Sequence, residues 1–396
     1  MTGVAWRVHY SDVGRVLCAC AYLAACSTRS EVGQFEPTDA GGDAAAFDAG
    51  LDASLALDPS LARLSLGNSS SCVLDSQGGV QCFGDNTFGQ LGVDDISLSG
   101  SSQPLVAKGL ATGVRAVFGG PVSHCAVLQT GNAMCWGESV FGSFNGQPGT
   151  HFATPAPFEA PGLSFVASMA LGIYFHCALA TNGSAKCYGL NSSGQLGTGG
   201  LGDNFTPASV ASLEPSRHIA AAGFFACAVT GAGSVKCWGH NDHGQLGDGT
   251  QQDALAPVPV VGLPPVATSV ANGRDHACAL AEGNVWCWGG NAYGQLGTGP
   301  SADRALPVQV SGLSTIVQIA AGNEHTCARS DAGAVHCWGA ADSGSSTSGP
   351  LAIVPADAVE VAAGGRHSCA LLGSGVLRCW GSGGTGIYGG NGAPAP

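Results

Sequence analysis

Short apolar segments of four to six residues recur along this chain, and glycine-rich turns separate them. The fullest unit shows the order. Ala277-Cys278-Ala279-Leu280 and Val285-Trp286-Cys287-Trp288 flank the turn Ala281-Glu282-Gly283-Asn284, and Pro307-Val308-Gln309-Val310 follows. An apolar stretch precedes most units, as in Ile319-Ala320-Ala321-Gly322 and Val361-Ala362-Ala363-Gly364. Each unit therefore offers four strand candidates: one before the glycine, one around each of two cysteines, and the Pro-x-x-Val stretch. Short strands at regular spacing with turn signals predict an all-β chain. The first cysteines of successive units are 53, 52, 50, 51, 49 and 42 residues apart. A period near 50 predicts a solenoid or propeller of one repeated supersecondary unit.

Fourteen of the 17 cysteines fall into seven pairs: Cys72/Cys82, Cys125/Cys135, Cys177/Cys187, Cys227/Cys237, Cys278/Cys287, Cys327/Cys337 and Cys369/Cys379. In Cys177–Cys187 the turn centres on Thr181-Asn182-Gly183 with equal arms on either side. The two cysteines then face each other on adjacent antiparallel strands. Opposed Cα atoms lie about 4.5–5.5 Å apart, within disulfide reach. A metal reading fits less well, because zinc thiolates are typically two to four residues apart. His124, His176, His276, His325 and His367 lie beside first cysteines, yet the pattern persists at Cys72 and Cys227, which have no such histidine. One disulfide per unit is expected, and with it an oxidising compartment.

The residue after the second cysteine is Phe83, Trp136, Tyr188, Trp238, Trp288, Trp338 or Trp380. Strand alternation puts this ring on the face opposite the cysteine. Both faces of each sheet must then be buried, which a ring of radial sheets provides and a single open sandwich does not.

Composition narrows the partners. Gly 63 in 396 residues fits a chain that turns often, and the hydrophobic share of 45% is enough for a large core. Only 10% of residues are charged and the formal net charge is −13. No cluster of Lys and Arg suits a nucleic-acid backbone, so nucleic acid is not expected as a partner. Cofactors and resident metals are not expected either.

The N-terminal region carries a different signal. Residues 16–25 (VLCACAYLAA) are apolar and follow Arg7 and Arg15, the charge-then-apolar order of an export signal. The run ends in Leu23-Ala24-Ala25-Cys26, which resembles the bacterial lipobox. On that resemblance residues 1–25 are a lipoprotein-type signal peptide and Cys26 is the lipidated residue. The other readings are an ordinary signal peptide cut elsewhere and a buried apolar N-terminal strand. Residues 26–60 are rich in Asp, Ala, Gly and Ser and read as a flexible acidic tether. Residues 61–396 hold the repeats. The last unit stops at Pro396 without a clear fourth strand, and an N-terminal stretch such as Ser54-Leu55-Ala56-Leu57 is expected to complete it.

Gly-x-x-His, Ala-Leu, Trp-Gly-x-Asn-x-x-Gly-Gln-Leu-Gly-x-Gly and Pro-x-x-Val together resemble the RCC1 (regulator of chromosome condensation) repeat. Gly-Gln-Leu-Gly is intact at 89–92, 194–197, 244–247 and 294–297. It is altered at Gly146-Gln147-Pro148-Gly149 and Gly386-Ile387-Tyr388-Gly389, and lost after Gly344. The resemblance covers residues 61–396 and implies a seven-bladed β-propeller. The family's best-known member is a nuclear exchange factor for a small GTPase that also binds chromatin. An export leader, an acidic balance and paired cysteines argue against carrying that activity over, since fold does not fix function.

Catalytic motifs are not evident, and the repeat histidines read more simply as strand-end residues bonding to backbone than as catalysts. The segment between the repeat glycine and the first cysteine differs most among units. It carries Tyr174-Phe175, Phe224-Phe225, Arg274-Asp275, Glu324 and Arg366. Gathered on one rim, these residues offer the aromatic and arginine types enriched in interface hot spots. The alternative is that the rings pack onto adjacent loops. The expected function is an exported, lipid-anchored, monomeric protein-interaction module at the outer membrane, cell surface or periplasm, touching membrane only through its anchor. Other readings are an inhibitor like the secreted propellers of this family that block β-lactamases, a hydrolase or lyase with its site in the central channel, and a scaffold or carbohydrate-binding propeller.

Overall fold

The computed structural model describes residues 47–48, 63–139, 152–340 and 346–381. All of these belong to one unit, Ala44–Pro396. The described residues form seven four-stranded antiparallel sheets, the blades of a β-propeller. Blade 1 runs from its inner strand Leu64–Leu66 through Ser70–Leu74 and Val80–Asp85 to the outer strand Gly100–Val106. Blade 4 repeats this with Ser216–Ala222, Phe225–Thr230, Val235–Gly239 and Ala254–Pro259. Each inner strand faces the central channel, and in blades 1 to 6 chain order is also radial order.

The second and third strands are the hairpin that the cysteine spacing implied. Cys72 pairs with Cys82 and Cys227 with Cys237, directly opposed, and the other five pairs follow the same register. All seven disulfides are formed, with Cα–Cα separations of 4.0–4.1 Å. Cys278/Cys287 keeps the pairing although its hairpin is one residue shorter, because the loss falls within the turn.

The two faces of each blade are buried against different neighbours. Cys278 and Cys287 of blade 5 pack with Ile316, Ile319 and Trp338 of blade 6. Trp288, on the opposite face, packs with Cys227, Val229 and Leu246 of blade 4. The core is thus a series of layers between blades, and the disulfides belong to it.

Two of the seven disulfides are less well covered than the rest. Cys327–Cys337 and Cys369–Cys379 form as the spacing implied, yet their second cysteines are less well covered than those of blades 1 to 5. Cys337 keeps 8% of its surface exposed, where Cys82, Cys187, Cys237 and Cys287 have none. In those four blades the leucine of Gly-Gln-Leu-Gly packs on the disulfide, as Leu91, Leu196, Leu246 and Leu296. Blade 6 has lost that leucine with the rest of the turn. Cys379 is only half-buried. Elsewhere the second cysteine lies opposite an outer-strand residue, as Cys237 does with Val258. Among the described residues, the outer strand of blade 7 pairs with Val376 and Leu377.

Blade 7 has inner, second and third strands Ala358–Ala363, His367–Leu372 and Val376–Gly381. Its fourth, outer strand is Phe47–Asp48, with Phe47 opposite Leu377 and Asp48 opposite Val376. The ring therefore closes through an N-terminal strand, and pairing covers an edge that would otherwise be open. The closing residues lie within the stretch 26–60 expected to be a tether, so that stretch is not a tether throughout. Ser54–Leu57, the segment expected to close the ring, lies outside the described residues. So do the leader, Cys26 and the altered turns at 146–149 and 386–389.

Candidate functional site

The turns between inner and second strands all lie at one end of the ring, around the channel mouth. Gly67, Pro121, Gly273, Asn323 and Gly365, from five of these turns, line that mouth together. Backbone hydrogen bonds join successive turns: Asn68 N–H to Pro121 O, Ile173 N–H to Gly223 O, Arg274 N–H to Asn323 O, Asn323 N–H to Gly365 O, and Gly365 N–H to Gly67 O. At the equivalent place in blade 2 stands Pro121, which has no N–H to donate. Asn323 also donates through Nδ2 to Asn68 Oδ1 at 3.2 Å. The turns thus brace one another into a platform.

Under the platform, each blade meets the next through the two residues preceding the first cysteine. The residue two before it in one blade faces the residue one before it in the next. In three junctions the histidine comes first: His276 Nε2 to Thr326 Oγ1 (2.9 Å), His325 Nε2 to Ser368 Oγ (2.7 Å), and His367 Nε2 to Ser71 Oγ (3.0 Å). In two junctions the partners are exchanged: Ser70 Oγ to His124 Nε2 (2.8 Å) and Ser123 Oγ to His176 Nε2 (3.1 Å). The remaining two junctions are apolar, Phe175 against Ala226 and Phe225 against Ala277. Burial lowers the pKa of His124, His176 and His276 to about 3, and of His325 and His367 to about 4. These rings stay neutral and structural. The histidines bond side-chain hydroxyls of the neighbouring blade, not the backbone as expected.

The glycine of Gly-x-x-His has a steric cause. A Cβ on Gly273 would lie 2.1 Å from His276 Cε1, and one on Gly172 would lie 2.0 Å from Phe175 Cε1. The ring three residues on folds back over the glycine, so no side chain fits there.

The loops carrying Gly-Gln-Leu-Gly lie at the same end, outside the turns. Asn191 Oδ1 accepts from Leu196 N–H at 2.9 Å and Gln195 Oε1 accepts from Ser193 N–H at 2.9 Å, which closes the loop on itself. The Gln195 carbonyl then accepts the indole N–H of Trp238 from the next blade at 3.0 Å. The same bond runs from Trp136 to Gln90, Trp288 to Gln245 and Trp338 to Gln295. Gly197 sits against the indole at φ +65, a place and a conformation that exclude a side chain.

The expected rim residues divide. Phe175 and Phe225 are fully buried in the blade junctions and cannot be contact residues. Tyr174 and Phe224, one position earlier, are half-buried at the mouth. Arg274 and Arg366 are exposed, while Asp275 and Glu324 are half-buried. Arg274 and Asp275 pair with each other at 3.5 Å. The adjacent-position rule that buries Phe175 and Phe225 was present in the histidine pattern, since both occupy the position that holds histidine in blades 5 to 7.

The channel holds a cavity of about 250 Å³ lined by inner-strand residues, among them Leu64, Ala220, Asn272 and Glu360. Glu360 accepts hydrogen bonds from Arg63 N–H at 3.0 Å and Leu64 N–H at 3.1 Å, where blade 7 meets blade 1. Burial outweighs these bonds and raises its pKa to about 7. Its carboxylate is engaged in ring closure. Cys125, Cys135 and His176 lie close enough to suggest a metal cluster. Their two sulfurs are joined in a disulfide, which leaves no thiolate to ligate.

This architecture defines a disulfide-braced seven-bladed propeller with one platform of linked loops. Its repeats match the regulator of chromosome condensation (RCC1) repeat in two models, at 182–229, 232–280 and 282–329 and at 62–90, 166–195, 217–245, 267–295, 316–345 and 358–387. Together these cover more than half of the chain, and the protein belongs to the RCC1 repeat family. It is 29% identical over 155 residues to the ultraviolet-B receptor UVR8 of Arabidopsis thaliana; the match takes in 39% of this chain and only 35% of that receptor. In structure it resembles Prp20p of Saccharomyces cerevisiae (TM-score 0.68, 22% identity, 78% of this chain and 81% of that one). It also resembles human WBSCR16 (TM-score 0.69, 20% identity, 80% and 88%). At these identities the likeness is one of fold.

Proposed function

We propose that this chain is an exported, non-enzymatic protein-interaction module, and that it binds through the mouth platform. The observation carrying this reading is the set of backbone hydrogen bonds that joins five successive pairs of turns. These turns carry Tyr174, Phe224, Arg274, Glu324 and Arg366 at one end of the propeller. A preorganised surface loses little entropy on binding, and aromatic and arginine side chains supply the anchors. Prp20p, which shares the fold, is described by its binding to Gsp1p and histones. A histone-like or nucleic-acid partner is not carried over.

Export rests on two supports, the leader ending at Cys26 and seven disulfides that suit an oxidising compartment. A lipid on Cys26 would tether the monomer to a membrane through the acidic spacer. The deciding experiment captures partners from cell-surface extracts. It compares wild type with Phe224→Ala/Arg274→Ala and with Phe165→Ala at the opposite end. A partner lost only with the mouth variant supports the platform. A partner set unchanged by that variant refutes it.

A further inference from the structure

Blade 4 departs from its neighbours in the loop after its third strand. The loops of blades 3, 4 and 5 begin with Leu190, His240 and Gly290, each followed by an asparagine. The backbone N–H of Asn191, Asn241 and Asn291 is bonded by Asp203, Asp253 and Asp303 at 2.8, 2.8 and 3.0 Å. The loop therefore uses the aspartate in every copy, while leucine or glycine serves as well as His240. Blade 4 also places Asp242 where blades 3 and 5 have Ser192 and Ala292.

These additions converge. His240 Nδ1 lies 3.3 Å from Asp253 Oδ1, and Nε2 lies 3.5 Å from Asp242 Oδ2. One ligand atom from each of the three residues lies within 4.8 Å of the others. Asp275, on the mouth turn of blade 5, adds negative charge near the ring. With Arg274 turned to Asp275, the carboxylates about His240 outnumber the cations. We propose that His240, Asp242 and Asp253 form a binding site for a divalent first-row transition-metal ion of the zinc type.

The chemistry follows from the donor set. Bonds of about 2.0–2.2 Å from zinc to imidazole nitrogen and carboxylate oxygen place neighbouring donors roughly 3.3–3.5 Å apart in a tetrahedral shell. His240 Nδ1 and Asp253 already stand at that spacing, whereas Asp242 now faces Nε2 and, at 73% exposed, would turn to join Asp253 about one ring nitrogen. Imidazole selects for zinc-like ions over magnesium and calcium, which prefer oxygen alone. Three protein ligands leave a position open to water or to a carboxylate of a bound partner. The site is independent of the platform reading.

The test is calorimetric titration of the chelator-treated full chain with zinc, with calcium and magnesium run alongside. Wild type should bind one zinc tightly and neither of the other ions comparably. His240→Leu installs the residue blade 3 uses there and should weaken zinc binding by about tenfold or more, as should Asp242→Asn. His243→Gln, which disturbs a neighbouring His–Asp pair, should leave zinc binding unchanged. Wild type that takes up no zinc, or His240→Leu that binds it undiminished, overturns the proposal. Unchanged melting of both metal-free variants would show that any loss is not unfolding.

Discussion

Single side chains tie neighbouring blades together, and the repeat grammar records which ones. Each intact Gly-Gln-Leu-Gly, at 89–92, 194–197, 244–247 and 294–297, is followed in the next blade by Trp136, Trp238, Trp288 or Trp338. Where the turn is altered, the next blade carries Tyr188 or Phe83. In these six blades donor and acceptor vary together, because a carbonyl buried without its indole is costly. Trp380, after the lost turn of blade 6, is the exception. Trp238→Phe keeps the ring but removes that donor and should cost about 1–3 kcal/mol in guanidinium unfolding. Trp380→Phe should cost less, since blade 6 has lost the corresponding turn. Equal losses would show that the indole bond contributes nothing. This pairing was readable in the sequence once the units were aligned. The exchange of histidine and hydroxyl at the blade junctions was not read. Its partners lie 43 to 54 residues apart, or 296 where the ring closes, and only the ring geometry brings them together.

At the scale of the element, the hairpin was the most legible part. Alternation fixes which residues face each other, so equal arms about Thr181-Asn182-Gly183 suffice to oppose Cys177 and Cys187. Closing so short a loop should add about 2–3 kcal/mol per disulfide on the entropic model. Alkylation under denaturing, non-reducing conditions should leave all 14 repeat cysteines unlabelled in the mass spectrum. Labelling at any pair would break the one-per-blade assignment. The thinner cover over Cys337 and Cys379 was not legible in the hairpins themselves, which match the others in spacing. Over Cys337 it comes from a leucine missing in a later loop. The strand that completes blade 7 was foreseen only as an N-terminal strand. Phe47–Asp48 pairs through its backbone, and backbone pairing leaves little trace in so short a sequence.

Across the whole molecule, buried histidines set the response to acid. Burial depresses the pKa of six of them, including His218 at about 4. An unfolded histidine takes up a proton near pH 6.5, whereas these folded ones do so only near 3 to 4. Their stabilisation is thus complete above pH 6.5 and is lost as the pH falls toward 4. Glu360 acts in the opposite sense. Its folded pKa of about 7 exceeds the ordinary 4.5, so its contribution declines as the pH rises between those values. Six groups outweigh one, and the melting temperature should fall on acidification from pH 6.5 to 4.5. A flat or rising profile would mean that the histidines are not buried neutral. Glu360→Gln should steepen the fall, because it removes a buried group that opposes the histidines.

The repeat, the hairpin register, the disulfide pairs and the burial of both sheet faces follow from the order of residues alone, since each depends on residues close along the chain or on a fixed period. Only the tertiary structure decided which turn residues are exposed. Phe224 and Phe225 are adjacent and chemically identical, yet alternation and the neighbouring blade leave one at the mouth and put the other in the core. The same holds for Phe47–Asp48 closing the ring and for His240 meeting Asp253 across a loop. Each depends on where a distant part of the chain comes to lie.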